Sequence, residues 1–488
     1  MSAMKNNYLK EEVVKVNKKR LGLVCCAFLL ASTLVGCVAT GDEQSVEEKV
    51  EVTYYKEFTD IDLFQEVPVM TVANGKTDYV GDMGAGNEVI TVNGSELEEY
   101  WEYVSVLEEN GFEKYYDNGE EGLKGKVYSA TLTKEDLVIT VIQMIKSKVT
   151  YIVAEEDIAL TERLFYKDEY VADNKEGAKT TLHLVELSDF GNSFVIQLKN
   201  GHFIINDGGR AEDLPYLIEY LESLVPQGEK PVVEAWMSSH PHGDHAGTFM
   251  GFESNWTYAD RIYVEEIYMD EVNNAVATAQ GVTGVQLGVM TGTLKLKTSS
   301  GGHPEIYRPQ AGQTYYFSDI KVEVMQTMVQ VPEKNWYRWT GNINEFSTWL
   351  MYHIDGQTFL NAGDADFGAM KAIMRTYDEE DFVMDIMAVQ HHGINVHNEF
   401  SDFVTVKTLL YPNMGTQGMY KTGVSWGGSW QASEDRNEYL QGKALESISY
   451  IDGTQVLTFP YKVGTAKSLG NKRTRVDVSS DESRIQYY

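Results

Sequence analysis

Four side chains able to bind metal fall within six residues, His240-Pro241-His242-Gly243-Asp244-His245, directly after the apolar run Val232 to Met237. Borderline-soft divalent ions take imidazole and carboxylate ligands, and a chain leaving a strand as an extended loop turns positions two apart to the same side. His240 and His242 are therefore expected to share one ion. Asp244 and His245 are adjacent, so a helix beginning near Asp244 would turn them away from the first pair, toward a second ion. Chance clustering is the competing explanation. It is weakened by scarcity: the chain has only 10 histidines in 488 residues, and three of them sit here at ligand spacing.

The elements that must position such a loop are strands, and three more strand-like segments end in residues of the same kind. Ser193 to Leu198 and His202 to Ile205 flank the hairpin signal Lys199-Asn200-Gly201, and the second run leads into Asp207-Gly208-Gly209. Thr348 to Ile354 and Gln357 to Asn361 flank Asp355-Gly356 and lead into Gly363-Asp364-Ala365. Asp385 to Val389 leads into Gln390-His391-His392-Gly393. Helical patterns follow the first and second of these ends, at Leu214 to Val225 and Phe367 to Tyr377. An Asp beside Gly is ordinarily a turn former, so Asp207 and Asp364 mean little in isolation.

Together, His-x-His-x-Asp-His after a strand and these three segments, in this order over roughly residues 180 to 460, resemble the metallo-β-lactamase fold superfamily. The resemblance implies an α/β fold, a four-layer αββα sandwich whose ligands lie on loops at one edge of two packed sheets. It also implies two divalent metal ions, zinc first, with manganese or iron as alternatives. His240, His242, Asp244 and His245 would be ligands, Asp364 the bridging carboxylate and His391 the last ligand, with Asp244 and His392 as the catalytic groups. His392 would then contact substrate or protonate the leaving group. Spacing does not decide between His391 and His392, and the reverse assignment stays open. Asp207 is expected to brace the His240 loop from a buried position rather than to bind metal.

The chain departs from the β-lactamases of that superfamily, which carry a third histidine on the first metal before the bridging Asp. Here that interval holds only His303, in the loop-like Ser299 to Pro304, and His353, in mid-strand. Asn342-Ile343-Asn344-Glu345-Phe346-Ser347, taken with His391-His392-Gly393, is similar instead to the branch typified by the extracellular hydrolase domain of bacterial competence (DNA-uptake) proteins. That resemblance makes Asn344 and Ser347 supporting residues and leaves the first metal with fewer protein ligands.

All three cysteines, Cys25, Cys26 and Cys37, lie in the first 37 residues, so the remainder has no disulfide, thiolate metal site or cysteine nucleophile. Lys15, Lys18, Lys19 and Arg20 precede the apolar run Leu21 to Val35, which suits a signal-peptide core better than a membrane span. Leu34-Val35-Gly36-Cys37 resembles the bacterial lipobox. Cys37 would then be acylated, residues 1–36 removed, and 37–53 left as an acidic tether, which gives an extracytoplasmic, lipid-anchored protein. Removing residues 1–36 takes away six Lys/Arg and two Asp/Glu, moving the formal charge from −32 to −36. Nucleic acid is a poor partner for such a surface, and the membrane is expected to be met only through the N-terminal lipid.

Residues 54–160 read as a small α+β accessory domain. Ser95 and Glu98 form a capping-box pattern, Leu97, Trp101, Val104 and Leu107 share a helical face, and Gly111 sits at the C-cap. Lys124 to Leu132, Leu137 to Met144 and Val149 to Ala154 suggest a three-stranded meander. Residues 180–461 are the expected catalytic domain and 462–488 a polar tail. The long stretch Trp256 to Trp339, with Tyr258, Tyr263, Tyr268, Trp336 and Tyr337, is a candidate wall of the substrate cleft or an embellishment at the sheet edge. Gly423 to Trp430 is a further aromatic loop.

Two metals sharing Asp364 would lower the pKa of a water between them toward ~7, so hydrolysis is the expected reaction. The branch resemblance favours a phosphodiester or phosphomonoester, in a small molecule or a headgroup. Amide, lactam or thioester hydrolysis is the alternative, as is a non-catalytic surface-binding lipoprotein. Oligomeric state is left open.

Overall fold

The computed structural model describes residues 62–84, 86–165, 171, 173–331, 342–413 and 430–473. Cys37 and its flanking segments, Trp336, Tyr337, residues 423–429 and the tail from 474 lie outside the described residues.

The N-terminal part is a six-stranded antiparallel sheet made of β1 (Lys76–Gly84), β2 (Asn87–Asn93), β3 (Glu113–Asp117), β4 (Val127–Lys134), β5 (Leu137–Met144) and β6 (Val149–Glu156), in the order β1-β2-β6-β5-β4-β3. The expected meander is β4 to β6. β1 and β3 carry Gly, Asp, Glu and Lys in place of an apolar run, which hides them from a pattern search, whereas β2 has the run Val89-Ile90-Thr91-Val92. Helix α1 (Leu97–Glu109) forms where its periodicity places it. Its capping box uses Glu96 and Glu99, one residue beyond the expected pair, because Ser95 turns inward to Gln143 Oε1 at 3.0 Å.

Two larger sheets follow. One holds β7 (Thr181–Leu184), β8 (Ser193–Gln197), β9 (Phe203–Asp207), β10 (Val232–Met237), β11 (Tyr263–Val264), β12 (Glu266–Tyr268) and β13 (Glu305–Tyr307), together with β21 (Gln455–Thr458) and β22 (Lys467–Ser468). The other runs β14 (Thr314–Phe317), β15 (Ile320–Gln326), β16 (Trp349–Ile354), β17 (Gln357–Asn361), β18 (Val383–Ala388), β19 (Thr405–Tyr411) and β20 (Glu446–Ser449) in sequence order.

Side-chain alternation along these strands produces the layers. Ile204 and Ala235 of the first sheet meet Val324, Leu350, Phe359 and Ile386 of the second in a core between them. Their neighbours Ile205 and Trp236 point outward, onto Leu217 and Leu221 of α2 (Leu214–Ser223) and Phe249 and Phe252 of α3 (Gly247–Ser254). Leu360 and Met387 point out of the opposite face, into a cluster with Met370 and Ile373 of α6 (Phe367–Thr376) and Phe400 of α7 (Asn398–Phe403). Helix, sheet, sheet, helix is the expected αββα sandwich. Two helices of the long insertion, α4 (Asn274–Ala279) and α5 (Thr283–Thr293), and the late helix α8 (Trp430–Gln441) are the other α-helices among the described residues.

The accessory sheet is buried on both faces. Ile90, Val141 and Ile152 pack under α1, whereas Val89, Ile142 and Val153, each adjacent to one of these, join the same cluster as Met328, Val329, Ile343 and Phe346 of the sandwich. Within the insertion, Tyr268 lies in the core between the sheets, and Tyr258 packs against the α2/α3 layer.

Candidate metal centre

The strand directions place every candidate ligand at one edge. β9 and β10 run parallel, so Asp207 at the end of one lies beside the loop that begins at Ser238 after the other. β17 and β18 are likewise parallel, which brings Asp364 and the His391-His392 pair to their shared C-terminal side. β16 is antiparallel to β17, with Leu350 opposite Asn361, so its preceding segment Asn342–Ser347 arrives at the same edge. The two sheets are tied there by Thr348 N donating to Ser239 O at 2.9 Å.

Two donor sets result. His240, His242 and Asp364 form one; Asp244, His245, Asp364 and His392 form the other; the ligand atoms of each lie within 4.8 Å of one another. Asp364 belongs to both. His303 is exposed and bonded to Leu296 O, and His353 pairs with Glu323 at 2.8 Å, so neither supplies a third histidine.

The donor sets fit cations. Asp244 Oδ1, His245 Nε2 and His392 Nε2 are buried with no hydrogen bond, although the two nitrogens lie 3.0 to 3.3 Å from carboxylate oxygens of Asp364 and Asp244. Three such atoms converging beside the carboxylates of Asp244 and Asp364 are a donor arrangement that a cation would complete. Burial pushes His240 well below its ordinary pKa and His242 down to about 4, which leaves both imidazoles neutral and ready to donate a lone pair. Burial acts the same way on His245 and His392, but there the carboxylates prevail. Asp364 and Asp207 hold His245 well above the usual imidazole range, and Asp364 and Asp244 raise His392 to about 9. Asp244 and Asp364 fall below the usual carboxylate range despite their burial, because these histidines face them. Protons thus occupy the second set at neutral pH, where a dication would displace them.

Asp207 lies in neither set. It accepts from Ser239 N at 2.7 Å, from Ser239 Oγ at 3.0 Å and from His245 Nδ1 at 3.0 Å, and its backbone is left-handed at φ 56°. Ser239 Oγ also lies 3.0 Å from His240 Nδ1. Ser239 was not singled out from the sequence, though its place directly before His240 is a signal: a hydroxyl there reaches both the brace and the first ligand. Ser347 works from the opposite sheet, accepting from Asp364 N at 3.1 Å and lying 3.3 Å from His240 Nδ1. Gly363, at φ 52°, must be glycine, since a Cβ there would stand 2.5 Å from Ser239 Oγ.

His391 and His392 both adopt left-handed backbone, at φ 49° and 54°, with Gly393 following at 86°. Non-glycine residues hold such angles at a cost of order 1–3 kcal/mol each, and functional sites are where they collect. The turn sends the two side chains in different directions. His392, whose side chain is 0% exposed, points into the second donor set, and His391, 17% exposed, lies outside both, its Nε2 3.7 Å from Asp364 Oδ2. Asn395 Nδ2 lies 3.0 Å from His391 Nδ1 and Asn344 Nδ2 3.2 Å from its Nε2, one of which a neutral imidazole can accept from, and Asn395 also donates to Asp366 Oδ2 at 3.1 Å.

The loop between β7 and β8 covers Asp244. Asn192 N donates to Asp244 O at 3.0 Å, and the ring of half-buried Phe190 lies 5.4 Å from that of His392. The guanidinium of Arg210, also half-buried, sits 4.7 Å from the centre of the Phe190 ring.

No family model matches the chain, and no curated protein matches it. Among solved structures, it is similar to a metallo-β-lactamase from Cronobacter sakazakii carrying a mutated HARLDQ motif (16% identity, 42% of this chain and 74% of that one, TM-score 0.25). It is also similar to Zn(2+)-bound PqqB from Methylobacterium extorquens (10% identity, 52% and 79%, TM-score 0.30). A third is Tm1679, a metal-dependent hydrolase of the β-lactamase superfamily (11% identity, 57% and 98%, TM-score 0.32).

Proposed function

We propose that this chain is a metal-dependent hydrolase that acts on a phosphodiester or phosphomonoester. The observation that carries the reading is Asp364, a single buried carboxylate common to a His240/His242 set and an Asp244/His245/His392 set. A pure binding surface has no use for a carboxylate shared in this way. Divalent ions held there, zinc foremost, supply Lewis acidity and acidify a bound water. The protein's part is to hold them and to place the substrate. In this reading His392 is a metal ligand, and His391, fixed by Asn344 and Asn395 and partly open to solvent, is the side chain that meets the substrate or its leaving group. Asp207 and Ser239 keep His245 and His240 oriented, as partners behind metal ligands commonly do.

Location is part of the proposal. The apolar run ending at Cys37 supports an acylated, extracytoplasmic protein, and no helix among the described residues is long and apolar enough to cross a membrane. Cys37→Ser is expected to release the protein from membranes or block its processing.

The activity is tested by loading the protein with zinc, manganese or iron and screening p-nitrophenyl phosphodiesters and phosphomonoesters beside thioesters and a chromogenic cephalosporin. Phosphoester turnover abolished by chelation is expected. Preference for the cephalosporin overturns the phosphoester reading, and a metal-loaded protein that hydrolyses nothing supports a binding scaffold.

A further inference from the structure

Residues 462–488 read as a polar tail in the sequence, yet two of them, Lys472 and Arg473, close on the segment between β7 and β8 that covers Asp244. The sheet brings them there. β22 runs antiparallel to β21, with Val456 opposite Lys467, and β21 pairs with β7, with Gln455 opposite Leu184. Leaving β22, the chain passes back beside Gly453 and Thr454: Leu469 N donates to Thr454 O at 2.9 Å, and Gly470 bridges to Gly453. Lys472 N then donates to Glu186 Oε2 at 2.8 Å, and the Arg473 guanidinium reaches Asp213 Oδ1 at 2.5 Å with its carbon 5.0 Å from the centre of the Tyr216 ring.

Asp213 passes that contact on. Its Oδ1 accepts from Ser188 N at 2.9 Å and from Ser188 Oγ at 2.8 Å, and its Oδ2 accepts from Arg210 N at 3.0 Å. The carboxylate is fully buried and Arg473 is mostly so, which makes the guanidinium a counter-charge where water gives little help. Farther along the same segment, Asn192 N donates to Asp244 O at 3.0 Å, and Asn192 Nδ2 donates at 2.5 Å to Asp207 Oδ2, the brace of His245. Phe190, between Ser188 and Asn192, borders His392. One short segment therefore meets the surroundings of Asp244, His245 and His392, which with Asp364 make up the second donor set.

We infer that Arg473 is a positioning residue for the metal centre: through Asp213 it holds Ser188 to Asn192 over Asp244 and keeps the second donor set in the arrangement that takes an ion. The inference rests on the metal-dependent reading of the site. Residues 185–192 have no helix or strand of their own, so side-chain contacts must fix their path, and the amide and hydroxyl of Ser188 on one carboxylate are such a fixed point. Loss of the guanidinium leaves that carboxylate buried without its charge partner, a state relieved by letting water in or by moving the segment. The first set should feel this less, because Ser347 supports His240 from the opposite sheet.

The test compares the full chain with its Arg473→Gln and Arg473→Lys variants, by zinc competition against a chelating dye and by backbone hydrogen exchange read by mass spectrometry. Arg473→Gln is expected to weaken one zinc equivalent roughly 10-fold, the low end for groups behind a metal ligand, and the other equivalent less. Amides of Ser188 to Asn192 should exchange roughly 10-fold faster, while those of β16 to β18 keep the parent rate. Arg473→Lys, which keeps the charge, should recover part of both effects. Ser188→Ala, which removes the Oγ bond and keeps the N–H, should give the same pattern at smaller size and serves if Arg473→Gln fails to fold. Unchanged zinc affinity overturns the inference even if the segment exchanges faster. So does faster exchange spread evenly over the sandwich with both equivalents weakened alike, the mark of an ion pair that serves stability only. A parent that binds no zinc overturns the inference and the hydrolase reading together. Zinc affinity that depends on Arg473 in a protein without hydrolytic turnover sinks the hydrolase reading alone, and turnover in a protein whose zinc affinity ignores Arg473 sinks the inference alone.

Discussion

Asp207 Oδ2 stands 3.0 Å from His245 Nδ1, while the other nitrogen of the same ring stands 3.0 Å from Asp364 Oδ1. One imidazole thus spans Asp207 and the carboxylate common to both donor sets, and its orientation is set from behind. Partners of this kind typically contribute 10- to 100-fold to metal affinity. Asp207→Asn should therefore lower zinc affinity by about that factor with the fold intact, read by competition with a chelating dye. An unchanged affinity would show that Asp207 serves packing only.

Sharing of Asp364 by both donor sets makes its loss worse than the loss of any histidine. Asp364→Asn should empty both sites, His245→Ala chiefly the second, and His303→Ala neither, since His303 is exposed and bonded to Leu296 O. Metal analysis of the three purified variants decides this. A missing equivalent in His303→Ala would mean that the first ion reaches a ligand far from this edge.

The two adjacent histidines should part company. His392→Ala removes a ligand of the second set and should lose metal together with activity. His391→Ala should retain metal and lose turnover about 10²- to 10⁴-fold if the side chain moves a proton, most severely for poor leaving groups. Metal loss from His391→Ala with retention in His392→Ala would restore the opposite assignment.

What the sequence conveyed was mainly periodicity and punctuation. β8, β9, β16, β17 and β18 were legible because apolar runs end at Gly, Asp and His, and those ends became the site. Which of His391 and His392 enters a donor set was not legible, because the side-chain directions depend on two consecutive left-handed residues that spacing cannot express. Phe190 and Arg210 meet only after the β7/β8 loop folds over Asp244, 54 residues beyond Phe190 in the chain, and nothing local marks them. Tyr268 stayed open between a cleft wall and an embellishment at the sheet edge because it sits in a long insertion; β12 is a strand of the sandwich, and its pleat turns Tyr268 into the core.

The same strand ends in a group whose ionisation opposes folding. Asp270, 5% exposed, follows β12 where the sandwich meets the accessory sheet, and its Oδ2 has no hydrogen-bond partner. Burial raises its pKa to about 7; Arg308 opposes this, while Glu155 of β6 and Glu271 add to it. Arg308 is already committed to Glu155 at 3.1 Å. A carboxyl that binds its proton more tightly folded than unfolded contributes stability that is complete below about pH 3.8 and is lost as pH rises through 7. The full shift corresponds to roughly 4 kcal/mol. Asp270→Asn keeps the shape and removes the charge, so it should stabilise the protein at pH 8 by a few kcal/mol, with the advantage shrinking as pH falls to 5. Urea unfolding of parent and variant at both pH values measures it. Equal stability at pH 8 would mean that the Asp270 carboxylate is compensated in the folded protein, and the raised pKa would be wrong.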